Sequence, residues 1–476
     1  MRILLLSFVA AFSLHFALPT KAFELSQQIK STGLRTVVIS TVDGEEPVCE
    51  SVYAPEGSWG VGITNVNKVP GSVVIIDCHG EENFNSGSYV KKESGMTIKV
   101  RGNTSAMRTK KPYKIKLEKK ADLLCRGNKD FNDKNWILIT HPSNIYELGF
   151  LLGKWIGMAW APEYEYVHVV INEVYRGVYL LTESVERNDK CRIRTADSGF
   201  IAERDPYWWN EDGQYLLSGW NTFFNWTMKY PDFEDLDEGS KEFVHRRLLD
   251  FENIITTPDF AQMIDVDSFC RWLIAQDIMG TKDGGGTNFY LAQNDDSESS
   301  KLFVPVLWDL DSGEETKGAW SAVHNEGMIK PLFDNPDFRR RYCELYRELS
   351  PVVFEKMESL TENLEQAGSE GFNQAALLDY EIWGKTGEGL LSTSGNARDM
   401  KAWFPARKLW LDAEVSKIES QLSAVNEIAA IPDSYIEVYT FAGLKIYAGP
   451  AEDFTPSGPG LYIIKSSGSA KKLLIP

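Results

Sequence analysis

The stretch DVDSFCRWLIAQDIMGTKDGGGTNFYLAQNDDSESSKLFVPVLWDLDSG, residues 265–313, decides how the chain is read. Val266 to Met279 reads as a helix, and the run Asp283-Gly-Gly-Gly-Thr-Asn288 breaks it. Two strands follow, Asn288–Ala292 and Leu302–Leu307, joined by the polar, acidic loop QNDDSESSK. The second strand runs out into Asp309 and Asp311, two carboxylates one residue apart. Hard oxygen ligands at a strand end suit Mg²⁺ or Mn²⁺ beside phosphates. The competing explanation is plain architecture, because Asp forms turns and three glycines make one.

Upstream, Tyr113-Lys114-Ile115-Lys116-Leu117 alternates with period two, so Tyr113, Ile115 and Leu117 share one face of a strand and Lys114 and Lys116 the other. A strand that presents an ammonium into a cleft can hold α- and β-phosphates, as in protein kinases. Asp283 followed five residues later by Asn288 has the spacing of a kinase catalytic loop, where the Asp orients the attacking hydroxyl and the Asn reaches a metal. In that order an Asn opens one strand of a hairpin and a metal-binding Asp closes its partner. Asn288, the acidic loop and Asp309 repeat the order.

These residues, together with MTIKVRGNTSA…KKPYKIKL, NWILI, VINEVYRGVYLLTESV, GFIAERD and MKYPDFED, make the chain resemble the CotH-type protein kinases over about residues 87–428. Those are secreted or spore-coat proteins with an atypical kinase-like fold. The resemblance implies ATP- and metal-dependent phosphorylation of protein side chains, with Asp283 and the WDLD aspartates at the matching positions. One departure stands out. Where family members carry an Asp and then an Arg-Asn pair, the aligned positions are Thr140, Ile145 and Tyr146. Glu147, the acid on that helix, is expected to be exposed and not to pair with Lys116.

The remaining chain sets the frame. Of 476 residues, 50 are Lys or Arg and 68 Asp or Glu, a net charge of −18 that opposes broad binding to nucleic acid or anionic lipid. Against that background Arg101, Arg108, Lys110, Lys111, Lys114, Lys116, Lys119 and Lys120 crowd one stretch with the single acid Glu118, which suggests a site for a compact polyanion. Residues 1–22 read as a cleavable export signal, with an apolar run from Ile3 to Leu18 that is short for a span and small Ala22 at its end. No transmembrane segment is expected after cleavage, so the protein is expected to be secreted, periplasmic or at the cell surface. The six cysteines form no CxxC and read as buried thiols or one or two bridges. HExxH, GxSxG and a true P-loop are absent; Gly149–Lys154 imitates the last but reads as a core helix with glycines.

The expected fold is α+β: an atypical protein-kinase-like core at residues 87–431, a β-rich segment at 23–86, and a small β-module at 432–476. Beyond Pro432 the stretches VYTFAGLKIYAG and GPGLYIIKSSGSAKKLLIP resemble the C-terminal β-domains of secreted Bacteroidetes proteins, some of which are sorting signals; a stability cap is the alternative. The expected reaction is transfer of the ATP γ-phosphate to a protein hydroxyl. Asp283 would orient the acceptor, Asn288 and Asp309 would hold Mg²⁺ or Mn²⁺ with help from Asp311, and Lys116 or Lys114 with Arg101 would offset phosphate charge. The rival is a catalytically inactive surface protein of the same fold that grips a protein or glycan through aromatic stretches such as DPYWWNEDGQY.

Overall fold

The computed structural model describes residues 26–64, 67–141, 143, 145–211, 213–220, 223–281, 286–310, 322–325, 327–366, 370–429, 435–456, 458, 460–466 and 469–475. Residues 1–22, expected to be an export signal, lie outside them. The N-terminal half contains α1 (Gln27–Ser31), β1 (Thr36–Thr41), β2 (Ser51–Tyr53), β3 (Val61–Ile63), β4 (Val69–Ile76), β5 (Glu82–Asn85), β6 (Met96–Val100), β7 (Tyr113–Ala121) and β8 (Asp133–Ile139). Helix α2 (Ile145–Ile156) and the hairpin β9 (Tyr164–Ile171) and β10 (Val174–Glu183) follow, as their patterning predicts.

Strand pairing runs β1-β9-β10-β8-β7-β6-β4, and β4 also pairs antiparallel with β1, so the sheet closes on itself as a barrel with β5 attached outside the ring. Alternate residues point inward and fill it: Val37, Ile39, Val73, Ile98, Ile115, Trp136, Leu138, Val169 and Leu181 form one buried cluster. Strands β1 and β4, from the N-terminal stretch, therefore complete the same ring as β6–β10.

The second layer is the antiparallel sheet β12-β13-β11-β14-β15, made of β11 (Phe200–Asp205), β12 (Tyr215–Leu216), β13 (Asn225–Tyr230), β14 (Phe289–Gln293) and β15 (Leu302–Phe303). Helices α3 (Glu238–Ile254) and α4 (Val266–Met279) cover it through a cluster in which Phe289 stacks on Phe251 at 6.2 Å and meets Trp272 edge-on at 5.1 Å. Asp265 caps α4 by accepting from the Ser268 amide, and Gly280, at φ 65°, ends it. The strand expected to reach Leu307 stops at Phe303; Pro305, which has no N–H to donate to a ladder, lies two residues on.

Helices α5 (Lys330–Phe333), α6 (Pro336–Gln366), α7 (Glu370–Trp383) and α8 (Thr393–Ala429) close the helical side, and β16 (Tyr435–Thr440), β17 (Lys445–Pro450), β18 (Gly460–Ser466) and β19 (Ser469–Ile475) form a four-stranded antiparallel sheet with its own apolar cluster. Asp277, fully buried on α4, accepts from the Val323 amide at 2.6 Å and the Tyr342 hydroxyl at 2.6 Å, and meets His324 Nδ1 at 2.7 Å. It fixes the end of α4 to α6 and to the segment at 322–325. All six cysteines are unpaired, and only Cys270 and Cys343 are buried. Among the described residues, no helix is long and apolar enough to cross a membrane.

Candidate active site

The outer face of the barrel supplies the cations. Because β6 and β7 send Ile98, Val100, Tyr113 and Ile115 inward, Lys99 and Lys114 project outward, and they are direct cross-strand partners. Burial, and then the nearby Lys114 and Lys68, push the Lys99 ammonium down to about 8, with Glu211 opposing. Burial likewise pulls Lys114 below its usual value, although Glu186 Oε1 lies 3.3 Å from its Nζ; Lys229 and Lys116 repel it further. Lys116 itself is exposed, and Arg101 is half-buried where β6 ends.

Facing that surface, the second sheet supplies carboxylates. Glu203 and Asp205 lie two apart on β11, Lys229 comes from β13, and Tyr290 on β14 is the direct partner of Glu203. The Lys229 ammonium sits 2.6 Å from Glu203. Burial opposes its charge, yet Glu203, Asp205 and Glu211 together hold it protonated above the usual range. Three acids thus share one close ammonium, and Asp205 is the surplus one. Burial first, and then repulsion from Glu203, push its carboxyl up to about 7. Asp205 accepts hydrogen bonds from the Tyr207 amide at 2.7 Å and the Thr227 hydroxyl at 3.2 Å. The Glu211 charge acts on Lys99, Lys229 and Asp205 alike, so the outer face of β6 and β7 and the β11–β13 face lie near one another; the space between them is termed the cleft.

The two described residues of the expected metal set flank the β14–β15 hairpin in unusual backbone. Asn288, immediately before β14, has φ 54°, and Asp309, beyond β15, has φ 56°. Left-handed conformations at non-glycine residues are held only where the surroundings enforce them, and they concentrate at functional sites. The Arg204 guanidinium donates to the Gly286 carbonyl at 2.7 Å and so fixes the chain two residues before Asn288. The Tyr146 hydroxyl donates to Asp309 Oδ1 at 2.6 Å. The Asp309 and Arg101 charges both reach the buried Tyr290 phenol, which burial and then Glu203 push well up. Asp283 and Asp311 lie outside the described residues. Among the described residues, no three His, Cys, Asp or Glu side chains converge closely enough to hold a metal ion by themselves.

The basic stretch between Arg101 and Lys120 does not act as one anion site. Lys110 is buried and bound to Asp379 on α7 at 2.6 Å, Lys111 donates to the Ala106 carbonyl at 2.7 Å, and Arg108 donates to the Thr140 carbonyl at 3.3 Å. Of its lysines, it is Lys114 that turns to the cleft residues Glu186 and Lys229. Glu147 does not pair with Lys116, as expected, but it is half-buried instead of exposed and accepts from the Tyr164 hydroxyl at 3.0 Å. Gly149 and Gly153 are packing glycines of α2: a Cβ on Gly149 would come within 2.9 Å of Leu310. In DPYWWNEDGQY the tryptophans are half-buried and tied down, Trp208 to the Phe223 carbonyl at 3.0 Å and Trp209 to the Trp59 carbonyl at 3.1 Å.

Lys99, Glu203, Asp205, Lys229 and Tyr290 escaped residue-level assignment in the sequence, and Tyr146 was named there only as a departure from the family pattern. Five of them sit inside or beside stretches the sequence reading singled out, MTIKV, GFIAERD, MKYPDFED and NFYL, but a charge on a single strand looks the same whether it faces water or a cleft.

Comparison with known proteins gives one positive finding. The family described as CotH kinase protein matches residues 98–411, a span that runs from β6 into α8 and includes Lys99, Lys114, Glu203, Asp205, Lys229, Asn288, Tyr290 and Asp309. A search of curated proteins returns no significant match. A match over that much of the chain identifies the lineage, and the protein belongs to the CotH kinase family.

Proposed function

We propose that this chain is an exported protein kinase that transfers the γ-phosphate of ATP to protein hydroxyl groups with Mg²⁺ or Mn²⁺, on a kinase-like core spanning about residues 87–431. The observation that carries the reading is the composition of the cleft. Cations on the barrel (Lys99, Lys114, Arg101) oppose oxygen donors on the second sheet, with Asn288 and Asp309 in left-handed backbone on either side of the β14–β15 hairpin. A polyanion with its counter-ion fits such a surface better than an apolar ligand does.

In this reading Lys114, braced by Glu186, and Lys99 neutralise the phosphates, and Arg101 assists at the rim. Asn288 and Asp309, with Asp311, would hold the cation; their hard oxygen donors suit Mg²⁺ or Mn²⁺. When bound, that ion would offset the charge on the phosphate oxygens. Asp283 orients the acceptor hydroxyl and takes its proton as the oxygen attacks the γ-phosphorus. The bond from that phosphorus to the β–γ bridging oxygen breaks, and ADP leaves. The signal at 1–22 and a separate β-module at 432–476 belong to the same proposal.

ATP with Mg²⁺ or Mn²⁺ should raise the melting temperature, since a ligand of the native state adds RT ln(1 + [L]/Kd). Asp309→Ala should abolish the cation-dependent part. A nucleotide shift unchanged by EDTA would remove the cation from the scheme. A reading as an inactive binding protein draws on exposed Trp59, whose ring lies 5.8 Å from that of Tyr207 beside the cleft. ATP binding with no phosphoryl transfer under either ion would favour it.

A further inference from the structure

Tyr146 occupies the second position of α2, is nearly fully buried, and its hydroxyl donates to Asp309 Oδ1 at 2.6 Å. Its ring packs edge-on against His141 at 5.7 Å. The helix beneath it is locked to the Asp309 segment, because the missing side chain at Gly149 lets Leu310 approach to where a Cβ would lie only 2.9 Å away. The phenol and the carboxylate are therefore parts of one rigid unit. An ionised carboxylate offers about four lone-pair positions on its two oxygens. A short phenol hydrogen bond uses one of them and fixes the plane of the group.

We infer that Tyr146 is the positioning residue for Asp309: its hydroxyl holds Oδ1 and thereby presents Oδ2 to a divalent cation in the cleft. The inference rests on the reading of Asp309 as a cation ligand. Groups that orient a ligand from behind typically account for a 10–100-fold part of metal affinity. They do so by removing the need to order the ligand at the moment of binding. In this chain the left-handed backbone at Asp309 (φ 56°) makes that ordering costly without a partner.

The test uses the full chain and Mn²⁺ alone, titrated calorimetrically without nucleotide into wild type, Tyr146→Phe and Asp309→Asn. Phe keeps the buried ring and its contact with His141 and loses only the hydroxyl's hydrogen bond, so the variant should still fold and melt cooperatively in EDTA, at a somewhat lower temperature than wild type. The account expects Tyr146→Phe to weaken Mn²⁺ binding at least ~10-fold, and Asp309→Asn to weaken it more. If Asp309→Asn loses Mn²⁺ while Tyr146→Phe binds as wild type does, the positioning role is refuted and the ligand role of Asp309 stands. If Asp309→Asn binds Mn²⁺ unchanged, the ligand reading itself fails and takes the inference with it.

Discussion

Replacing Asp205 by Asn should make the protein more stable at pH 8, although it alters a residue in the middle of the cleft. Asp205 is 6% exposed and its carboxyl is pushed from 3.8 up to about 7, by burial and then by Glu203. A folded group that keeps its proton to about pH 7, when the unfolded chain releases it near pH 4, binds more protons in the native state across that window. Stability therefore falls as pH rises from about 4 to 7 and is lowest above it. Three pH units at 1.36 kcal/mol each put the cost at pH 8 at up to ~4 kcal/mol. Asn carries no charge, still accepts from the Tyr207 amide, and meets the Thr227 hydroxyl with its other end. Thermal melts of both proteins at pH 5 and pH 8 in EDTA should show the variant several degrees above wild type at pH 8 and closer to it at pH 5. At ~2–4 °C per kcal/mol for a cooperative unit of 150–250 residues, the gap is easily measured. A variant less stable than wild type at pH 8, or one whose melting temperature follows wild type across the range, would refute the surplus-carboxylate argument.

Asp379→Ala should cost about 3–5 kcal/mol, because it leaves the buried Lys110 ammonium uncompensated and strands the Val178 and Leu390 amides; a melting temperature within a degree of wild type would contradict this. Lys114→Ala should weaken ATP binding at least ~10-fold more than Lys116→Ala, the loss expected from a charge-assisted contact at about 1.4 kcal/mol per decade. Equal effects in a nucleotide titration would mean that the cleft-facing assignment is wrong. Protein isolated from its source should begin near Phe23, and N-terminal sequencing that recovers Met1 would overturn the export reading.

Local chemistry made the helices and hairpins legible. Helix α4 was predictable to the residue because an Asp cap and a left-handed glycine bracket a dense apolar run. Helix α7 was not, since the buried positions where it meets the barrel are the small Ala375 and Ala376 and the charged Asp379, which give little hydrophobic signal. Closure of the barrel rests on the parallel pairing of β1 with β9 and the antiparallel pairing of β1 with β4, long-range contacts that no local pattern encodes. The same holds for the site. Asn288 and Asp309 were singled out from spacing alone, and they flank the β14–β15 hairpin in left-handed backbone. Glu203, Asp205 and Lys229 acquire meaning only when β11 and β13 are laid against the outer face of β6 and β7. Lys110 looked like part of an anion site because Asp379, the charge that neutralises it, lies 269 residues away.

The central claim, phosphoryl transfer at this cleft, is tested most directly by incubating the purified mature chain with γ-phosphate-labelled ATP and Mg²⁺ or Mn²⁺. Label is then followed on the chain itself and on a general protein acceptor. The account predicts label on protein with wild type, and a rate lowered ~10²–10⁴-fold by Asp283→Asn with ATP affinity largely retained. Wild type that binds ATP yet transfers no label with either ion, or Asp283→Asn as active as wild type, would contradict it.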